Sequence, residues 1–143
     1  MKFVFGALAL AIMVAVAGCG GGGGSNAPAS ASPYAGSYAG TNAFSGPSGT
    51  QASSVNVTVS TSGSLTGSGL VTGATGSLTS TVGENSAVSG SVSNTGAVSL
   101  TIIPSGSSTG NTATGTVAFA SNGHLEGTLT ESTGTDTVNL TKQ

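Results

Sequence analysis

Apolar and polar side chains alternate with a period of two along several short segments, and this alternation most limits what the chain can form. Residues 54–61 (SVNVTVST) place three valines on one face, and residues 97–102 (AVSLTI) and 113–119 (ATGTVAF) repeat the pattern. A period of two is typical of strands with one buried face. Beyond residue 19 the sequence has no segment with a convincing helical period, and Thr and Val favour strands through their stiff branched side chains. The sequence therefore predicts an all-β fold.

Turn-forming residues separate these segments, with Gly and Asn supplying the positive φ that tight hairpins need. The turn signals lie at 62–63, 83–85, 94–96, 121–123 and 132–134. They delimit eight or nine strands, near 36–44, 53–61, 64–72, 76–82, 86–93, 97–103, 112–120, 124–131 and 135–141, with one long connection at 104–111. Because short hairpins pair each strand with the next, we predict an up-and-down antiparallel meander.

Glycines recur inside the predicted strands in an apolar-x-Gly-x motif, at Gly40, Gly67, Gly90, Gly115 and Gly127. By parity each glycine shares a face with its apolar neighbours. Repeated strand glycines permit the close backbone approach and strong curvature that close a sheet. We therefore predict a closed or nearly closed small barrel with its apolar face inward. The predicted inward side chains are Tyr38, Phe44, Val55, Val57, Val59, Leu65, Val71, Leu78, Val82, Val88, Val92, Val98, Leu100, Ile102, Val117, Phe119, Leu125, Leu129, Val138 and Leu140.

The first 19 residues, MKFVFGALALAIMVAVAGC, have the anatomy of a secretory signal peptide. Lys2 precedes an apolar run over 3–17, which is short for a transmembrane helix of about 20 residues. The segment ends at Cys19, the only cysteine of the chain. The alternative is a secreted protein without lipid, whose cysteine lies near the cleavage site by chance.

Residues 16–19 (VAGC) resemble the lipobox of bacterial lipoproteins. The resemblance implies that residues 1–18 are removed as a signal peptide and that Cys19 is lipidated, which anchors the protein to a membrane. Gly20, in place of an aspartate, implies the outer membrane of the cell envelope. Residues 19–35 continue with five glycines and then small residues, the composition of a flexible linker, and residues 36–143 form the predicted domain.

The predicted domain also resembles the small β-meander domains of bacterial lipoproteins. The likeness lies in the opening GSYAG (36–40), in the repeated Gly-x-Leu-x-Gly hairpins and in the final TVNLTKQ (137–143). More distantly the pattern is similar to calycin barrels of the avidin and lipocalin type. Those barrels generally carry a tryptophan near the first strand or pocket, whereas this chain has none, so ligand binding is not implied.

Charge and residue types restrict the chemistry. The whole chain has two Lys or Arg and four Asp or Glu. Nucleic-acid binding is excluded because it needs clustered basic residues. His124, the only histidine, shares a parity with Glu126, but both are expected to face solvent beside a turn. Two such groups form neither a usual metal site nor a catalytic triad. The sequence thus predicts no enzyme, no metal and no cofactor.

Two function classes remain. The first is a non-enzymatic structural or interaction module whose partner contacts the Ser/Thr-rich outer face or the 104–111 loop. The second is a calycin-like carrier of a small apolar ligand, since an eight-stranded barrel is just wide enough to hold one. No convergent polar groups are identifiable on the predicted inner face, and ligand pockets normally have a few. The sequence therefore favours a packed core and the interaction module.

Overall fold

The structure, a computed structural model, describes residues 30–143. This part of the chain forms eight antiparallel strands in an up-and-down order, and the last strand pairs with the first to close a barrel. The described residues contain no helix long and apolar enough to span a membrane. The strands are β1 (Gly36–Gly46), β2 (Gly49–Val59), β3 (Ser64–Ala74), β4 (Asn85–Val92), β5 (Ala97–Pro104), β6 (Asn111–Phe119), β7 (Leu125–Glu131) and β8 (Gly134–Lys142).

Pairing of β1 with β8 closes the sheet along most of their length, from Tyr38 opposite Lys142 to Ser45 opposite Thr135. The predicted all-β meander and its closure into a small barrel are confirmed. The barrel has eight strands rather than nine, because residues 76–82 form a loop between β3 and β4. Gly76 and Gly83 have φ of +80° and +90° there, a conformation that ends a strand. The predicted strand at 76–82 is therefore wrong, and the longest connection is this β3–β4 loop rather than the predicted one at 104–111.

The tight hairpin between β1 and β2 is a second difference from the expected turns. Its connection is only Pro47-Ser48, flanked by Gly46 and Gly49. Both strands are therefore longer at this end than the predicted 36–44 and 53–61. The extension brings Phe44 and Gln51 of these strands opposite each other near the end of the barrel.

The barrel interior holds the predicted apolar face, with valines and leucines from strands β2 to β8 and Tyr38 from β1 in one buried cluster. Three of the predicted inward side chains lie elsewhere. Leu78 belongs to the loop between β3 and β4 and lines the concavity at that end of the barrel instead of the interior. Val82 is 61% exposed because its segment is a loop, and Phe119 is 45% exposed because it is the last residue of β6. The remaining seventeen are buried or partly buried on the inner face.

The inward glycines lie where neighbouring backbones come closest. A Cβ added at Gly115 would collide with the carbonyl oxygen of Thr128 on β7, and one at Gly40 with that of Asn139 on β8. The other three predicted glycines meet a neighbouring carbonyl in the same way. Gly115 lies between Val98 and Leu129 in the strand register, so the larger neighbours fill the space that it leaves.

Aromatic side chains cover one end of the barrel, which we call the closed end. Tyr34 stacks on Phe119 with ring centroids 5.6 Å apart, and Tyr38 lies against the same ring. The Tyr38 hydroxyl donates a 2.8 Å hydrogen bond to the Tyr34 carbonyl oxygen. Burial, and secondarily the Tyr34 phenol, raises the pKa of Tyr38, so this donor keeps its proton. Lys142 Nζ adds a 2.8 Å bond to the Ala35 carbonyl oxygen.

Replacing an inward glycine tests the close approach. Gly115→Val should lower the free energy of unfolding by about 1–3 kcal/mol or more, because the new side chain must displace the backbone of β7. Its control is Thr114→Val, which adds no bulk to the interior and should change stability by about 0.5 kcal/mol at most. Chemical denaturation of both variants measures the difference. Equal destabilisation would show that Gly115 does not face inward.

Candidate functional site

The end opposite the aromatic residues is concave, and we call it the mouth. It is surrounded by the β1–β2, β3–β4 and β7–β8 connections and by the ends of the strands that they join. The concavity has a volume of about 330 Å³, within the range of small-molecule sites, which begins near about 300 Å³. Its lining residues are Phe44, Ser48, Gln51, Val71, Ser77, Leu78, Thr79, Ser80, Glu84, Asn85, Ser86, Pro104, Asn111, Glu131 and Thr133.

A buried polar pair lies inside the barrel near the mouth. Asn42 projects inward from β1 and Asp136 from β8, because each shares the parity of its apolar strand neighbours. Asn42 Nδ2 donates a 2.7 Å hydrogen bond to Asp136 Oδ1. Asp136 is only 2% exposed, yet its Oδ2 has no hydrogen-bond partner among the described residues, and neither has Asn42 Oδ1. Two buried acceptors are thus left without a donor.

Strand β2 adds two polar side chains next to this pair. Ser53 is buried directly opposite Asn42, and it accepts a 3.2 Å hydrogen bond from Gln51 Nε2. A β-bulge lies at this level, where Ser53 pairs with Val71 and leaves Thr72 of β3 as the extra residue. Bulges bend and twist the strand that carries them. The irregularity therefore lies where the regular apolar core gives way to polar side chains.

The last residue of β7, Glu131, completes the group with a second carboxyl. Partial burial and then the charge of the neighbouring Asp136 raise the pKa of Glu131 to about 7. Glu131 therefore binds or releases its proton near neutral pH. We call Asn42, Glu131 and Asp136 together the acceptor cluster.

Beneath the acceptor cluster the barrel encloses a small cavity of about 70 Å³. Its wall is apolar except for Asn42 and Asp136. The interior is therefore not completely packed, although the space is less than half of the roughly 150 Å³ that holds a benzene molecule. The cavity and the mouth lie on either side of the acceptor cluster, since Asn42 and Asp136 line the former and Glu131 lines the latter.

The expectation that the inner face lacks convergent polar groups is wrong. Asp136 and Asn42 share their parities with Val138 and Gly40, so the alternation alone already placed both side chains inward. In the sequence, these two residues are recognisable because an amide and a carboxyl occupy positions where the alternation expects apolar side chains. The proximity of Glu131 to Asp136 was harder to predict from the sequence, because it depends on the register that the β7–β8 turn sets.

The residues singled out from sequence lie away from the mouth. Cys19 falls outside the described residues. His124 and Glu126 belong to a network on the outer surface, where His124 Nδ1 and Asn139 Oδ1 are 2.7 Å apart and Asn139 Nδ2 donates to Glu126 at 3.3 Å. Within residues 30–143, no group of three or more His, Cys, Asp or Glu side chains is placed to hold a metal ion.

Searches against protein-family models, curated proteins and solved structures find no match to this chain. The candidate site is therefore defined by its geometry: a concave mouth with Glu131 in its wall, and an apolar cavity inside the barrel that Asn42 and Asp136 line.

The titration of Glu131 predicts a pH dependence of stability. Its folded pKa of about 7 lies above the ordinary value of 4.5, so the folded state retains a proton that the unfolded state has lost between these pH values. Stability from this group is complete below about pH 4.5, falls as pH rises and is lost above about pH 7. The melting temperature should decrease between pH 5 and pH 8.

Glu131→Gln is the test of this assignment, because it removes the titrating proton and keeps the shape of the side chain. Thermal melts of this variant should show a smaller decrease across the same pH range. Glu84→Gln, a carboxyl of the mouth wall outside the acceptor cluster, is the control and should retain the dependence of the unmodified chain. An unchanged slope in Glu131→Gln would contradict the assignment.

Proposed function

We propose that the protein is a membrane-anchored, non-enzymatic binding module of the bacterial cell envelope and that its partner binds at the mouth. The observation that carries the proposal is the mouth itself, a concavity of about 330 Å³ with Glu131 in its wall. The buried, unpaired oxygens of Asn42 and Asp136 line the apolar cavity on the other side of Glu131. Concave sites with a few convergent polar groups are the usual form of a binding site. The lipobox resemblance of residues 16–19 supports anchoring through Cys19, and the residue after it supports the outer membrane.

The different structures of the two ends support this arrangement. The chain reaches the barrel at the closed end, where the Ser32 amide donates a 2.8 Å hydrogen bond to the Thr61 carbonyl oxygen. Tyr34 then packs on Phe119 before β1 begins. A lipid at Cys19 therefore connects to the closed end, and the mouth lies at the opposite end of the barrel. The attachment through the closed end would therefore leave the mouth free to contact a partner.

The geometry of the carboxyls supports a binding role rather than hydrolysis. Asp136 is only 2% exposed, and its charge lies close enough to Glu131 to raise the pKa of that carboxyl, whereas the paired carboxyls of glycosidases flank a substrate bond that both can reach. The only histidine, His124, belongs to the network on the outer surface. The acceptor cluster has the groups to bind a donor but has no adjacent histidine to activate a nucleophile.

Transport of an apolar ligand inside the barrel is the second function considered from sequence. The apolar cavity lies where such a ligand would bind, but its volume of about 70 Å³ admits only a very small group. A larger ligand would require the closed sheet to expand, and continuous strand pairing around the barrel opposes that expansion. The dimensions of the interior therefore favour binding at the mouth.

Lipidation can be tested directly. The full chain, expressed with its signal in a bacterium that processes lipoproteins, should fractionate with membranes and have the mass of a chain that begins at an acylated Cys19. Cys19→Ala should lose the acyl mass and the membrane association, while the β-sheet circular dichroism spectrum should remain unchanged. An unacylated product of the unmodified chain, cleaved elsewhere, would contradict the proposal.

Binding at the mouth can be tested with a photo-reactive amino acid in the anchored full chain. The probe at Thr133, in the mouth, should give a cross-linked adduct in the native host, detected as added mass on the intact protein. The matched control is Thr128, which is exposed on the outer wall of β7 and lies away from the mouth. Adducts from Thr128 and none from Thr133 would move the binding surface to the outer wall.

A further inference from the structure

We propose that the mouth binds a small molecule with a primary ammonium group and an apolar body, and that the ammonium group lies against Asn42, Glu131 and Asp136. This inference rests on the proposed function, because it names the chemical class that the same site would bind. It follows from the unpaired acceptors, from the absence of positive charge beside them and from the apolar residues of the mouth wall.

The unpaired acceptors indicate a ligand that donates hydrogen bonds. Asp136 Oδ2 and Asn42 Oδ1 are both buried, and neither accepts a hydrogen bond from the described residues. The whole Asp136 side chain is only 2% exposed, so water does not reach it freely. Buried polar atoms are nearly always paired in folded proteins, and those that are not call for a specific explanation. A group with several N–H donors would satisfy both oxygens, and the Glu131 carboxylate provides a third acceptor at the edge of the mouth. A primary ammonium group has three such donors.

The distribution of charge indicates that this donor is a cation. Lys142 is the only Lys or Arg within residues 30–143, and it lies at the closed end, bonded to the Ala35 carbonyl oxygen. The mouth lining includes Glu84 and Glu131 and no basic side chain. A buried carboxyl beside a partly buried one, with no basic side chain near them, is stabilised when one of the two binds a proton or when both contact a bound cation. The proton on Glu131 is the first of these, and an ammonium group would replace it.

The apolar residues of the mouth wall favour an organic ammonium ligand over a metal ion. Phe44, Val71 and Leu78 contribute apolar surface to the mouth, which a hydrated ion would not use. Aromatic faces such as that of Phe44 also attract organic cations. Calcium requires six to eight oxygen ligands, whereas this cluster offers two carboxyls and one amide oxygen. A small amine with an aliphatic or aromatic body fits both parts of the lining.

The experiment uses the purified full-length chain in detergent micelles and follows amide chemical shifts by NMR during titration with n-butylammonium chloride. Shifts should be largest at residues around the mouth, and the affinity should exceed that for n-butanol, which has the same apolar body without the charge. Butyltrimethylammonium, which has no N–H donors, should also bind more weakly. Micelles without protein provide the blank for each probe.

The dependence on pH gives a second measurement. Because the ammonium group replaces the proton of Glu131, affinity for n-butylammonium should rise by about tenfold between pH 6 and pH 8. Glu131→Gln should weaken binding and abolish this rise. Asp136→Asn should weaken binding by about ten- to a hundredfold, the value of a hydrogen bond to a charged group. Glu126→Gln, with the same change of charge on the outer surface, should bind like the unmodified chain.

Each outcome bears on the proposal. Amide spectra of the variants establish that they are folded, and Glu131→Gln provides the test if Asp136→Asn is not. Equal affinity for butanol and butylammonium would overturn the ammonium site and leave binding at the mouth intact. Tight calcium binding without ammonium binding would also overturn it. If no probe changes the amide chemical shifts of the mouth residues, the ammonium inference fails. Cross-linking from Thr133 still tests the proposed function separately.

Discussion

The close approach of neighbouring strands at inward glycines is the constraint on which the rest of this barrel depends. At each of the five motif glycines, the neighbouring carbonyl occupies the place of a Cβ, so only glycine lets the backbones pass. The sheet can therefore curve tightly enough for β8 to pair with β1. Because the sheet is tightly curved, the barrel interior is narrow. Valines and leucines fill it, and only about 70 Å³ of open space remains.

A narrow interior has consequences for both ends of the molecule. The barrel needs few large side chains, and the described aromatic residues other than Phe44 lie at the closed end. There Tyr34, Tyr38 and Phe119 seal the core where the chain enters. At the other end no aromatic cluster covers the strands, and the long β3–β4 loop forms part of the rim. The fold thus has one end suited to attachment and one suited to contact with other molecules.

The sequence predicted the fold because one physical pattern, alternation with a period of two, determines both the strands and their buried face. The pattern gave wrong predictions for residues near the ends of the barrel, where strands stop and loops begin. Leu78 and Val82 match the alternation of a strand, but the flanking Gly76 and Gly83 convert the segment to a loop. Phe119 has an inward parity, but it lies at a strand end and packs on Tyr34.

The polar cluster could have been found only in part. Parity already placed Asn42 and Asp136 inside, where an amide and a carboxyl among valines are conspicuous. Their hydrogen bond depends on the closure of β1 against β8, between residues 94 positions apart in the chain. Glu131 comes near Asp136 through a turn of two residues, 132–133. The raised pKa depends on the burial that this geometry creates, and residue spacing does not contain that information.

Stability alone does not account for the acceptor cluster. A buried acceptor without a donor costs about 1–3 kcal/mol, and apolar replacements of buried polar groups are often neutral or stabilising. The next inward position on β8 is Val138, so the barrel accommodates an aliphatic side chain one step deeper. The network of His124, Glu126 and Asn139 is the opposite case, since its polar groups lie on the outer surface in partial contact with solvent and are hydrogen-bonded to one another. Those groups lose little solvation on folding and need no ligand, whereas Asp136 and Asn42 retain unpaired oxygens that a bound donor would satisfy.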